Sequence, residues 1–319
     1  MPRVTKCRAD SHSRHERLCS AAMASNKLPT ITGYSSALFA TWYFCDEMSV
    51  LFDCGDGVCS GLLQKARKIK HVFISHADRD HLAGLLQFNQ LNARERLKIY
   101  YPESCGSFPA LADFSAKFDP QSTGTQWIPI KDGQQVYLRD DLAVTAFENR
   151  HVPREEGETK SLSYRVDAIS TKLKPEFAGK SGAEIGALRK EHGADFVSAL
   201  TRTTKLIYSG DTPIEKDGRY DDAEILIHEA TFLTSAEIDP DNPRRNKHSS
   251  LEQVIAMVAR TNIQHLILGH FSSRYDHREI DKAIERQCVF HDIKCAVYRV
   301  LPGEIGRDIL RTKQCWPLG

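Results

Sequence analysis

The sequence predicts an α/β (α+β) fold, a sandwich of two mixed β-sheets with helices on the outer faces. Three observations predict it. Short apolar runs alternate with helical patterns in the first third of the chain and again in the last. Between Gln121 and Val166 the pattern changes to period-two alternation, the mark of half-buried strands joined by turns. Strands with intervening helices, plus a block of hairpins, need two sheet layers to bury their apolar faces.

The elements follow in order. "MSVLFDCGDGV" reads as a strand ending in a Gly-rich turn, and "CSGLLQKARK" as a helix. "HVFISH" is a short β-branched and aromatic run bounded by polar residues, so it is a buried strand. "HLAGLLQFNQL" follows as a helix and "KIYYP" as a strand. "GTQWIPI", "QQVYL", "LAVTAFENRH" and "SLSYRV" make the hairpin-like block. The second half returns to alternation with "KLIYSGD", "AEILIHEATF", the helix "SLEQVIAMVART", "HLILGH", the helix "REIDKAIERQ" and "CAVYRVL". Residues 28–319 thus form one domain, interrupted by an inserted, partly helical excursion from Ser170 to Thr203. It is either a functional projection or a solvated helix pair. Residues 1–27 stand apart, rich in Arg and Ser and without apolar periodicity. They read as a disordered tail, a segment upstream of a start at Met23, or a targeting peptide.

Composition narrows the function. The 319 residues carry a net charge of +1, so any nucleic-acid contact must come from local patches such as "KARKIK" and "PRRNKH". Nine cysteines without paired C-x-x-C spacing argue for reduced thiols in the cytoplasm rather than a disulfide framework. No apolar run approaches the ~20 residues that span a bilayer, so a soluble protein with no membrane partner is expected.

The chemistry gathers at strand ends. "HVFIS" delivers His76, Asp78, Asp80 and His81; "AVTAFENR" delivers His151; "LIYSGD" ends in Asp211; "AEILIHE" ends in His228 and Glu229; "HLILGH" ends in His270. One histidine beside an apolar run is ordinarily a packing or cap residue. Five runs that each end in His or Asp are not explained that way. Imidazole with carboxylate suits zinc, manganese or iron. Alternation along an extended stretch would bring His76, Asp78 and Asp80 to one side, with His81 turned toward a neighbouring ion.

"HADRDH" resembles the metal signature of the metallo-β-lactamase superfamily, and "FDCGDG" resembles the strand and turn before it. "YSGDT", "IHEATF", "KHSS" and "LILGHFSSRY" are similar to the ribonuclease Z branch, in order from about Thr30 to Arg299. The resemblance implies an endonuclease that removes 3′ trailers from precursor tRNA. It implies two divalent ions per chain, zinc first, with manganese or iron as alternatives. His76, Asp78, His151 and Asp211 would hold one ion, and Asp80, His81, Asp211 and His270 the other. Asp80 would orient the attacking water or take its proton. Glu229 would fix His248, which would hold the scissile phosphate or protonate the leaving oxygen. Arg274 and Lys247 would add charge for phosphate. The resemblance also implies a homodimer in which one subunit's arm serves the other's site. Asp53 is expected to tie loops beneath the ions, and His228, His71, His265 and His277 to be structural.

The chain departs from the branch at four places. Asp78 replaces a histidine, Lys247 a glycine, "TITGYSSAL" is a loose match to the opening strand, and the excursion lacks a Gly-Pro-rich tip. Two other readings stand beside the endonuclease: a hydrolase of small phosphodiesters or aryl sulfates, and a non-catalytic RNA-binding descendant.

Overall fold

The computed structural model describes residues 28–215, 218–238, 241 and 247–317. The N-terminal extension and most of the basic stretch from Pro243 lie outside them. Two sheets face each other. The first holds β1 (Ile31–Ser36), β2 (Ala40–Cys45), β3 (Val50–Phe52), β4 (His71–Phe73), β5 (Lys98–Pro102) and β6 (Gln126–Ile130), in that order. The second runs β13 (Ala296–Arg299), β12 (His265–Gly269), β11 (Ile225–Glu229), β10 (Ser198–Tyr208), β9 (Leu162–Leu173), β8 (Leu142–Glu148) and β7 (Gln135–Arg139). In each sheet one part is antiparallel, β1 to β3 and β7 to β10, and the rest is parallel.

Three apolar layers result. Phe52, Phe73, Tyr164, Tyr208, Ile227 and Ile267 fill the space between the sheets. Outside the first sheet lie α1 (Val58–Leu62), α2 (Arg79–Leu82), α3 (Leu85–Asn92) and α4 (Ser107–Phe118), whose Leu62, Leu85, Phe88 and Phe108 join Val72 and Ile99. Outside the second lie α7 (Leu251–Val258) and α8 (His277–Phe290). Their stripes, Val254–Ile255–Val258 and Ile280–Ala283–Ile284–Cys288, recur at helical spacing and are buried. Each helix starts where the sequence supplies a cap. The Ser250 and Asp276 side chains accept the N–H of Gln253 and Glu279, whose own side chains accept in return.

Two expectations change. "GTQWIPI" and "QQVYL" are not a hairpin: β6 lies parallel to β5 in the first sheet, while β7 opens the second. Period-two alternation marks a half-buried strand but not which sheet buries it. The excursion is also not wholly separate from the strands. Leu173 pairs with Ser198 and Ser170 with Thr201, so β9 and β10 extend beyond the sandwich as a two-stranded arm. At its tip α5 (Gly182–His192) has no buried residue, and Phe196 of α6 (Ala194–Val197) packs on Phe177 and His192.

Candidate metal centre

The site lies where strands of both sheets end, most of them in the parallel parts and β8 in the antiparallel part. β4 stops at Phe73, and Ser75, His76 and Asp78 follow in a loop. Asp80 and His81 then sit on the helical turn α2, so the alternation expected through Asp80 stops at Asp78. Adjacent positions on a helix diverge by about 100° rather than 180°. Asp80 and His81 therefore reach the same place. Across from them are His151 after β8, Asp211 after β10, Glu229 at the end of β11, His248 before α7 and His270 after β12.

These residues form two touching groups. In one, the Asp78 Oδ2 is 3.6 Å from the His76 Nε2 and 3.5 Å from the His151 Nε2. In the other, the Asp211 Oδ2 lies 3.2 Å from the Nε2 of both His81 and His270, and the Asp80 Oδ2 lies 3.3 Å from the His270 Nε2. The Asp211 Oδ2 is also 3.9 Å from the His76 Nε2, so it stands between the groups.

Every imidazole presents the same edge. The His76 Nδ1 donates to the Ser75 Oγ at 2.9 Å, and Ser75 donates onward to Asp53. The His81 Nδ1 donates to the Asp53 Oδ2 at 2.7 Å, the His151 Nδ1 to the Lys247 carbonyl at 3.0 Å, and the His270 Nδ1 to the Thr231 Oγ at 2.8 Å. With a proton on each Nδ1, all four rings turn Nε2 inward, where it can bind a cation beside three carboxylates. The Nε2 atoms of His76 and His81 are buried and lack a hydrogen-bond partner. A buried polar atom without a partner costs about 1–3 kcal/mol. A divalent cation, bound by imidazole nitrogen and carboxylate oxygen and backed by hydrogen bonds to the far nitrogen, removes that cost. The residues fit such an ion.

Charge agrees with the geometry. The imidazoles of His151 and His76 beside it hold the Asp78 carboxyl well below the ordinary carboxylate range. Burial raises the Asp211 carboxyl, yet His270 and His81 outweigh it and leave the group ionised. Burial keeps His76 toward its neutral form, the one that ligates.

Beside the groups, the Glu229 Oε1 accepts the His248 Nδ1 at 3.0 Å. Glu229 also accepts the N–H of Thr212 at 2.7 Å and the hydroxyl of Thr231 at 2.6 Å. Burial opposes the imidazolium of His248, but the Glu229 charge and hydrogen bond raise its pKa to about 9. The ring stacks on His270 at 5.5 Å and leaves Nε2 for a substrate.

The surroundings are rigid and strained. Asp53 (φ 53°) and His270 (φ 59°) are both left-handed, which is uncommon without glycine and clusters at functional sites. Gly55 is required: a Cβ there would collide with the Asp80 carbonyl. Asp53, wholly buried, binds Ser75, His81 and the Tyr208 hydroxyl and so ties both sheets under the site.

Two residues enter differently than expected. Arg274 is engaged elsewhere: its guanidinium pairs with Glu237 and lies over the rings of Phe232 and Tyr275, 5.4 and 4.8 Å from their centroids. A phosphate would have to draw the guanidinium away from that carboxylate to be held by Arg274. Lys247 contributes its backbone carbonyl, which any residue could supply. His228 is buried beside Tyr220 with Nδ1 on the Glu229 carbonyl, His71 stacks on Tyr100, His265 lies near the Tyr298 ring, and the His277 Nε2 contacts the Pro302 carbonyl. Sequence reasoning missed Ser75 and Thr231. Thr231 had a signal, standing two residues past Glu229 on the same side of an extended stretch.

Comparison with known proteins agrees with this geometry. Residues 49–197 match the model of the beta-lactamase superfamily domain. The ribonuclease Z of Methanocaldococcus jannaschii is 33% identical over 72% of this chain and 78% of its own. Among solved structures, the metallo-beta-lactamase fold protein YhfI from Bacillus subtilis covers 88% of this chain and 99% of its own, with a TM-score of 0.58 and 16% identity. The short form of human tRNase Z covers 77% and 93%, with a TM-score of 0.51 and 19% identity. These two establish the fold alone. Fold, site and the archaeal relative together make this chain a member of the ribonuclease Z family, within the beta-lactamase superfamily.

Proposed function

We propose that the protein is a metal-dependent endoribonuclease that removes 3′ trailers from precursor tRNA, leaving a 3′-hydroxyl on the tRNA and a 5′-phosphate on the trailer. Kinship with the ribonuclease Z of Methanocaldococcus jannaschii and with tRNase Z TRZ1 of Arabidopsis thaliana, 28% identical over 80% of this chain and 89% of its own, supports the substrate. The observation that carries the chemistry is the pair of imidazole–carboxylate groups with Asp211 standing between them, next to the Glu229–His248 dyad.

His76, Asp78, His151 and Asp211 would hold one divalent ion, and Asp80, His81, Asp211 and His270 a second, with zinc first among the candidates. Bound there, the ions would activate a water and neutralise charge on the phosphate. The chain's own groups supply the rest. The Asp80 Oδ2 accepts the Leu38 N–H at 3.0 Å, which keeps the carboxylate placed to take the proton of the attacking water. The phosphorus–3′-oxygen bond breaks as the new bond forms, and His248, protonated on both nitrogens, gives its Nε2 proton to the departing oxygen. Glu229 keeps that ring charged and aimed. The reading extends to a cytoplasmic homodimer.

The test is incubation with a 3′-extended precursor tRNA beside bis(p-nitrophenyl) phosphate, with zinc, with manganese and with chelator. Cleavage at the trailer junction that chelation abolishes is expected. Diester hydrolysis without RNA cleavage would move the substrate class to small phosphodiesters, and neither activity would leave an RNA-binding protein.

A further inference from the structure

The turn between β1 and β2 carries two large apolar side chains into solvent beside the metal centre. Leu38 is 76% exposed and Phe39 61%, on a hairpin whose strands are otherwise almost wholly buried. The turn is not loose. The Phe39 N–H donates to the Ser36 carbonyl at 3.1 Å and the Ala37 N–H to the Phe271 carbonyl at 3.2 Å. The Leu38 N–H donates to the Asp80 Oδ2, and the Ser35 Oγ accepts the His270 N–H at 2.8 Å. Leu38 occupies the third position of this turn with φ 71°, where turns ordinarily place glycine or asparagine. For a leucine the left-handed conformation is strained. A strained backbone that presents apolar side chains to water, with its amide on a site carboxylate, calls for a function.

We propose that Phe39, backed by Leu38, is a stacking platform for the nucleobase adjoining the scissile phosphate. This rests on the reading that the substrate is RNA. The scissile phosphate must sit between Asp80 and His248, and the base of a flanking nucleotide is tied to that phosphate through a single sugar. A platform whose backbone touches Asp80 therefore lies within that base's reach. The turn, Ser35–Ala40, has no cationic side chain and so offers the phosphate no charge. An aromatic face binds any base, because every base has a π face, and single-stranded RNA is commonly held this way. The platform would orient the cleaved linkage without reading sequence.

A cycle of protein and substrate variants tests it. Metal-loaded wild type, Phe39→Ala and Phe39→Trp are compared on a 3′-extended precursor and on precursors abasic at the nucleotide before or after the scissile phosphate. Base–aromatic stacking predicts a fall in kcat/KM of about tenfold or more for Phe39→Ala on the intact precursor. One abasic precursor should lower wild-type turnover equally, and Phe39→Ala should lose nothing further on it, since the two changes remove one contact. Phe39→Trp should cleave as wild type does. Additive losses, or Phe39→Ala cleaving the intact precursor at the wild-type rate, overturn the platform alone. Loss of a dimer in Phe39→Ala with unchanged cleavage per site would show a subunit contact and also overturn it. Failure of the wild type to cleave any precursor overturns the RNA reading and the platform with it.

Discussion

Asp78 is the residue on which the centre's chemistry turns. Its carboxylate reaches the Nε2 of both His76 and His151 while its side chain is 62% exposed, unlike the buried Asp80 and Asp211. A carboxylate can take a zinc position at about 2.0–2.2 Å, much as imidazole does. It also adds charge. Asp78, Asp80 and Asp211 together would offset three of the four positive charges if two divalent ions were held there, whereas a histidine at 78 would leave two uncancelled. The less cationic centre should acidify its water less and accept manganese more readily. Asp78→His should therefore shift the acid limb of the pH–rate profile to lower pH with two ions still bound, and Asp78→Ala should lose an ion. An alanine variant with full metal content and full activity would remove Asp78 from the ligand set. The second residue-scale prediction concerns His248. Its pKa, about 9, is raised by Glu229, so the protonated form is lost as pH climbs through that value. Glu229→Gln removes the charge and should move the alkaline limb to lower pH. His248→Ala should keep its metal and lose about 10²–10⁴ in rate, the usual worth of a positioned acid. An alkaline limb unmoved in Glu229→Gln would show that another group sets it.

At the scale of elements, the strand ends were legible and the connections were not. "HVFIS", "LIYSGD" and "HLILGH" announce themselves because buried parallel strands are unbroken apolar runs, and the residue after each run stands at the sheet's edge. The pairing of β6 was hidden, since alternation is the same in either sheet. The helix Ser107–Phe118 was missed altogether; only Phe108 and Ser115 are buried, too few to print a stripe. Ser75 and Thr231 were passed over because a neutral hydroxyl gives no titratable signal, though each fixes a ring. The arm was read as an interruption, and the structure gives it two paired strands and an exposed helical tip. Replacing residues 174–197 by a short turn should spare the sandwich, because Lys174 to Phe196 contribute nothing to its core clusters. If the arm grips tRNA, precursor cleavage should weaken and its salt dependence flatten as fewer counterions are released. Hydrolysis of bis(p-nitrophenyl) phosphate should hold near the wild-type rate. A parallel fall in both activities would make the tip part of the core.

Across the whole molecule, the centre is where the sheets are joined by charge. The first sheet's side supplies His76, Asp78, Asp80 and His81, and the second supplies His151, Asp211, His248 and His270. In the metal-free chain, protons hold the acidic groups together. His248 is raised to about 9, chiefly by Glu229 against its burial, and His81 is raised well above its ordinary value by Asp211 and Asp53, also against burial. A histidine whose folded pKa exceeds its unfolded value of about 6.5 contributes stability that is complete below that value and lost as pH rises through the folded one. The metal-free protein should thus lose stability from about pH 6.5 toward 9. Divalent ions act oppositely, since ligands must shed protons to bind them and binding to the folded state stabilises it. The difference in Tm between metal-loaded and chelated protein should therefore be small near pH 6 and widen steadily to pH 9. Differential scanning fluorimetry at matched ionic strength measures it. Asp211→Asn, which removes the carboxylate standing between the groups, should shrink the gap at every pH. A gap that stays flat or narrows as pH rises would mean that the imidazoles of the two groups do not exchange protons for metal, and the ligand assignment would fall with it.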